Sequence, residues 1–314
     1  MQIRKLVKSG NSSLVVAIPR DWIKRNKLKQ GNFVYIDEKK NTLSMRTELK
    51  EKLPENSKIV INIDGKSERI ISRDINSAYL DNYHYIIIKG NELKKKTDSI
   101  KKMISDLIAI EIIDESSNKI VAKNFLNIYD TEPKVVIRRM DNIIRSMIMD
   151  TKDAANDHEI VANIVNRDKG INRLNYLISK IVKVANNDKS ILGSLNLSEM
   201  DILRYWELNS QLEKIGDRIK NIARLMPKVE PKHRKDCLML FSQIENMYKN
   251  VMKAFYNFSV KLSDDISSDR KLINDNIKKF IKNSNCATCS QIAINAFNMT
   301  GHINDIGRII RYLD

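Results

Sequence analysis

Hydrophobic and polar positions change rhythm twice along this 314-residue chain, which divides it into three segments. Over residues 1–50 the apolar runs are short. Leu14, Val15, Val16, Ala17 and Ile18 form an apolar strand that Pro19 stops. Before it, Lys8-Ser9-Gly10-Asn11-Ser12-Ser13 reads as a loop, because these residues tolerate tight turns. Trp22, Ile23 and Leu28 mark a short amphipathic helix over 22–28. Phe33–Asp37 and Thr42–Met45 alternate around Lys40-Asn41, which predicts a hairpin. The apolar side of this strand–loop–strand–helix–strand–strand unit is too small to stand alone, so a second copy is expected to complete its core.

Residues 51–130 predict a small α/β domain. Lys58–Asp64 and Tyr85–Ile88 are β-branched and aromatic runs, with helical spacing between them over Arg73–Asn82 (Ile75, Ala78, Tyr79). A second helix is predicted over Lys94–Ile108. Strands Ile110–Ile113 and Ile120–Ala122 follow around the turn Ser116-Ser117-Asn118. This segment carries no phosphate loop, catalytic dyad or metal-ligand spacing.

Residues 131–314 change to a helical period, as in the stripe Val136, Ile137, Met140, Ile143, Ile144, Met147, Ile148. Pro133, Pro227 and Pro231 fall at helix edges. The spacing predicts helices over 133–153, 157–187 and 198–226, then over 232–262, 266–283 and 287–313. Three plus three around a proline-flanked linker suggests a duplicated bundle with repeats 131–227 and 231–314. Two short matches agree: Ile171–Asn175 with Ile273–Ile277, and Ile215–Ile219 with Ile306–Ile310.

Charge sharpens the division. Residues 1–50 hold 12 Lys/Arg against 4 Asp/Glu, net +8, and residues 51–130 hold 13 of each. Residues 131–314 hold 30 against 22, the same net +8 spread over a far longer stretch. Attraction to phosphates depends on local clustering, so the N-terminal segment is the nucleic-acid candidate, with Arg4, Lys5, Lys8 and Lys24 in front. No apolar run approaches the roughly 18 residues of a membrane span, and no signal peptide is evident, so a cytoplasmic protein is expected. Three cysteines argue against a disulfide framework.

Candidate chemistry is sparse. Glu213 and Asp217 lie four apart on one helix face, as do Asp168 and Asn172 on the preceding helix. Antiparallel packing would gather three carboxylates and an amide, a donor set suited to a divalent cation. The competing reading is salt bridging, to Lys214 and Arg218 on one side and Arg167 and Lys169 on the other. Gly216 costs about 1 kcal/mol inside a helix, which points to close helix–helix approach. Cys286-Ala287-Thr288-Cys289 is a lone C-x-x-C, expected as reduced thiols, since a zinc site would need Cys237 and a distant histidine to complete it. The four histidines are scattered and no nucleophile is paired with a base, so no enzyme is expected.

Two stretches resemble known families. Ile3-Arg4-Lys5, Lys8 through Trp22 with its Ile18-Pro19, and Leu28-Lys29-Gln30-Gly31-Asn32 are similar to the swapped-hairpin DNA-binding domain of AbrB/SpoVT type. That resemblance implies an intertwined homodimer, half a β-barrel per chain, contacting double-stranded DNA through Arg4, Lys5, Lys8, Ser9, Asn11, Ser12 and Lys24. Leu212-Glu213-Lys214-Ile215-Gly216-Asp217-Arg218-Ile219-Lys220-Asn221-Ile222-Ala223 resembles the PhoU signature. It implies an all-α pair of three-helix bundles over 131–314 and makes Glu213, Asp217 and Asp168 candidate ligands of a divalent metal in the first repeat. Asn172 replaces an expected aspartate, and Asn304 and Arg308 stand at the second repeat's acidic positions. The order of segments is similar to archaeal phosphate-uptake regulators. The expected whole is therefore a multidomain α+β regulator of phosphate-transport genes. Its rivals are a PhoU-like adaptor for a transporter or signalling kinase that does not bind DNA, and a metal-handling protein.

Overall fold

The computed structural model describes residues 3–10, 13–39, 42–47 and 57–312 and divides the chain into two units, Met1–Pro54 and Glu55–Asp314. In the first unit, β1 (Val7–Ser9) pairs antiparallel with β2 (Ser13–Val15), matching Lys8 to Leu14. Pro19 then precedes α1 (Arg20–Arg25), and β3 (Tyr35–Lys39) pairs antiparallel with β4 (Thr42–Arg46). The order of elements is the one the apolar pattern predicts. No described side chain of this unit is buried, and Leu6, Val7, Leu14, Val15, Ile36 and Leu43 are all exposed. One copy therefore leaves its apolar positions facing solvent. A closed barrel is not seen within it.

The second unit begins with a four-stranded sheet ordered β5 (Lys58–Asn62), β6 (Tyr85–Lys89), β8 (Lys119–Asn124), β7 (Ile110–Ser116). β5 and β6 are parallel, joined across α2 (Glu68–Leu80), and the other pairs are antiparallel. Period-two alternation turns Ile61, Ile86, Ile88, Ile120 and Ala122 onto one face, where α2 and α3 (Leu93–Ser105) cover them with Ile71, Ile75, Tyr79, Leu93 and Ile100. α2 starts a turn and a half before the predicted Arg73, behind Ser67, because Ile71 also enters this core.

The rest is helical: α4 (Pro133–Thr151), α5 (His158–Asn187), a short α6 (Ser190–Ser194), α7 (Glu199–Leu225), α8 (Pro231–Tyr256), α9 (Val260–Ser284) and α10 (Ala287–Tyr312). The helix starts follow capping chemistry. Pro133 and Pro231 open α4 and α8, Asp157 accepts the Glu159 backbone N–H at 2.7 Å, and Ser198 and Asp201 form a reciprocal capping box on α7.

Within the helical region one predicted boundary is wrong. The break placed at 262–266 falls at 257–259, where Phe258 takes a left-handed backbone (φ 48°) and Ser259 caps α9. Its apolar neighbours kept the period running through the turn and hid it. The short α6 was also missed.

A single apolar core runs through both helical triplets. α7 and α10 meet at its centre, where His302 Nδ1 lies 3.0 Å from Gln211 Oε1. Across the triplets, buried Asp141 of α4 accepts hydrogen bonds from Tyr248 (2.9 Å) and Tyr256 (3.0 Å) of α8 and from Arg145 (2.8 Å). The sheet layer docks through α2 on α5: Asn76 donates to Tyr176 Oη at 2.9 Å, and Lys183 pairs with Asp81 at 2.6 Å.

Candidate functional site

Packing of α5 against α7 builds the acidic site. Gly216 makes it close: a Cβ there would lie 2.8 Å from Ile171 Cδ1, so any larger residue must push that side chain aside. Asp168, buried on α5, then faces Glu213 and Asp217 on α7. The three carboxylates share one field, as the spacing anticipates. Burial, then the charges of Asp217 and Asp168, push the Glu213 carboxyl above its ordinary value.

The positive charge among them comes from a residue the sequence reading passed over. Lys220 Nζ donates to Asp168 Oδ2 at 2.7 Å and to Asp217 Oδ1 at 2.5 Å. Burial opposes its charge, but these two bonds hold its ammonium above the usual lysine value. Asn172 Nδ2 reaches Asp168 Oδ2 at 3.5 Å. The salt bridge expected between Asp168 and Arg167 or Lys169 is thus corrected in its partner: Arg167 turns to Asp150, and Lys220 pairs with Asp168 and also with Asp217, whereas the bridging expected for Glu213 was to Lys214 and Arg218.

Oxygen donors of this kind suit a divalent cation, yet an ammonium already occupies the position between Asp168 and Asp217. Among the described residues no three His, Cys, Asp or Glu side chains are arranged to hold a metal ion. The set Glu213, Asp217 and Asp168 does not fit a metal while Lys220 stands there.

Glu213 and Asn172 also line a cleft of about 420 Å³ between the bundle and the sheet layer, with Lys169, Arg173 and Tyr176 of α5 and Asn76 of α2. Its walls mix two cations, the carboxyls of Glu213 and Asp106, and amides, which suits a small polar ligand. The cleft could not be read from sequence, because α2 and α5 are brought together only by the domain packing.

In the second triplet Gly307 repeats the device, its absent Cβ lying 3.2 Å from Ser263 Oγ and 3.9 Å from Ile266 Cβ. Ile266, not Ile273, is therefore the counterpart of Ile171. The sequence match over 273–277 is two turns out of register, a shift that keeps the same helix face. Arg308 pairs with Asp305, and Ser267 donates to Asn304 Oδ1 at 3.2 Å.

Of the N-terminal candidates, Arg4, Lys5, Lys8, Ser9 and Lys24 are all exposed. Asn11 and Ser12 lie outside the described residues. No helix among the described residues is long and apolar enough to cross a membrane.

No curated protein matches this chain. Among solved structures, the crystal structure of PhoU from Pseudomonas aeruginosa is similar, at 16% identity and a TM-score of 0.47, over 58% of this chain and 94% of that one. A family model described as the PhoU domain matches residues 137–226, from the second turn of α4 to the end of α7, so the Gly216 crossing and its acidic site lie inside the matched stretch.

Proposed function

We propose that this chain is a regulator of phosphate homeostasis in which a PhoU bundle is coupled to a DNA-gripping N-terminal dimer. The observation that carries the first half is the PhoU domain over 137–226, with the Leu212–Ala223 signature on α7. Support for the second half comes from the first unit. Most of its described apolar residues are exposed in a single copy, so two chains interlocking there would bury them as the AbrB/SpoVT resemblance implies. Its cations Arg4, Lys5, Lys8 and Lys24 are solvent-exposed, where phosphates of a duplex could reach them. The polar cleft beside Glu213 is the natural place for the bundle to read a signal.

The deciding experiment measures binding of the full chain to duplex DNA as a function of salt. Four phosphate contacts from each protomer of a dimer give a log–log slope of about −7, at about −0.9 per contact. An Arg4/Lys5/Lys8→Ala variant should fall to a slope of about −2. Affinity indifferent to salt, or unchanged in the variant, overturns DNA binding. The PhoU match lies wholly in the helical region, which favours a second reading: an adaptor for a transporter or signalling kinase whose N-terminal unit only dimerises. A protein that stays dimeric by light scattering but shows no salt-dependent DNA affinity belongs to that class.

A further inference from the structure

All three cysteines of the chain meet at one end of the second triplet. α8 and α10 both begin there. Cys286 is the residue that caps α10: its carbonyl accepts the Ser290 N–H at 2.9 Å, the first bond of the helix. Its sulfur lies at the N-terminal end of α10, where the nearby backbone N–H groups of Cys289 and Thr288 and the Cys289 thiol lower the Cys286 thiol below its ordinary value. Cys286 is partly exposed, whereas Cys289 is fully buried and Cys237 nearly so. Cys237, from α8, is hydrogen-bonded to Cys289 from behind.

We propose that Cys286 and Cys289 are a peroxide-reactive dithiol, with Cys286 the attacking sulfur and Cys289 the resolving one. The division of labour follows from position. A sulfur at a helix N-terminus, accepting two or more hydrogen bonds, is stabilised as thiolate, and the thiolate is the nucleophile. Cys289 sits three residues on, one turn inside the helix, in an apolar pocket where its thiol stays protonated until it is needed. The shifts run the same way: hydrogen bonding lowers the Cys286 thiol, and burial raises Cys289 to about 11 and Cys237 to about 12.

The chemistry balances as a two-electron oxidation of two thiols by one hydrogen peroxide. The Cys286 thiolate attacks one peroxide oxygen and the O–O bond breaks, leaving a sulfenic acid and hydroxide. The hydroxide takes the Cys289 thiol proton and leaves as water. The Cys289 thiolate then attacks the sulfenic sulfur, the S–O bond breaks and the S–S bond forms; the hydroxide released takes back from solvent the proton Cys286 had lost and leaves as a second water. Closing this ring cross-links the cap of α10 to its first turn, one turn from where α8 packs.

Hydrogen peroxide added to the reduced full-length protein tests this, read by intact mass and peptide mapping after maleimide trapping. The expected result is loss of two hydrogens per chain, two fewer alkylated thiols, a mapped Cys286–Cys289 link, and full reversal by dithiothreitol. Cys289→Ser should stop at a sulfenic acid on Cys286 that dimedone captures. Cys286→Ser should slow thiol oxidation at least tenfold, and Cys237→Ser should leave rate and link unchanged. Because Cys286 is partly exposed, its serine variant is expected to fold, which helical circular dichroism checks. Oxidation of Cys286→Ser at the wild-type rate, or a link mapped to Cys237, overturns the proposal.

Discussion

Lys180 is the most exposing test of how the sheet layer and the bundle hold together. Its side chain is fully buried on α5, its Nζ has no hydrogen-bond partner, and it lies 4.0 Å from the centre of the Tyr79 ring on α2. Burial pulls its pKa from 10.5 down to about 7. A shift of that size corresponds to about 5 kcal/mol against the charged form in the folded protein. Between pH 7 and 10.5 the unfolded chain holds the lysine proton and the folded chain releases it, so stability rises with pH across that window. Below pH 7 both states are protonated, and the full cost is felt.

Lys180→Met keeps the length, removes the charge and sets a sulfur against the Tyr79 ring. The variant should therefore be more stable than wild type by about 4 kcal/mol at pH 7.5. The difference should shrink by about 2 kcal/mol on moving to pH 9.5. Urea unfolding at both pH values, followed by far-ultraviolet circular dichroism and by Trp206 on α7, measures it. Comparing the two proteins at each pH cancels every other titrating group. A variant less stable at pH 7.5, or a gain that does not change with pH, would refute the reasoning.

Two further substitutions probe the Gly216 crossing. Gly216→Ala gains about 1 kcal/mol of helix propensity and loses about 1–3 kcal/mol to overpacking against Ile171 Cδ1, so a modest destabilisation is expected. In an Ile171→Val background that carbon is gone and the same change should become neutral or stabilising; equal costs in both backgrounds would show that the contact is not what requires glycine. Lys220→Ser removes the ammonium between Asp168 and Asp217, and calorimetry should find Mn²⁺ bound at least tenfold more tightly than by wild type. Wild-type protein binding as tightly as the variant would show that Lys220 does not compete for the site.

The elements were legible wherever burial follows a period, and opaque wherever a polar residue sits inside one. Asp141 lies among Ile137, Met140, Ile144 and Ile148 on the buried face of α4, a position where a carboxylate signals a distant donor. Its partners Tyr248 and Tyr256 are more than a hundred residues away, and nothing local names them. Lys180 is hidden in the same way between Leu177 and Ile181. Lys220 was readable, since residues three apart on a helix are neighbours, and Asp217–Lys220 is such a pair. The meeting of Cys237 with the C-x-x-C was not, because it depends on α8 and α10 starting at the same end of the bundle.

The two triplets show which features the fold demands and which it leaves free. Each keeps a glycine where its third helix crosses its second, Gly216 over Ile171 and Gly307 over Ser263 and Ile266, where an added Cβ would crowd the facing side chains. The charged groups around the crossings have no such constraint. Asp168 and Lys220 of the first triplet face each other across it, whereas Ser263 in the second satisfies itself by donating to the Gly307 carbonyl at 2.6 Å, and Arg311 turns outward to Asp264. A hydroxyl bonded to backbone can be buried without a counter-charge; a carboxylate cannot, and Asp168 has Lys220 for that reason. Shared architecture therefore carries no counterpart of this acidic site into the second triplet, and whatever Glu213, Asp217 and Asp168 do must be tested in the first alone.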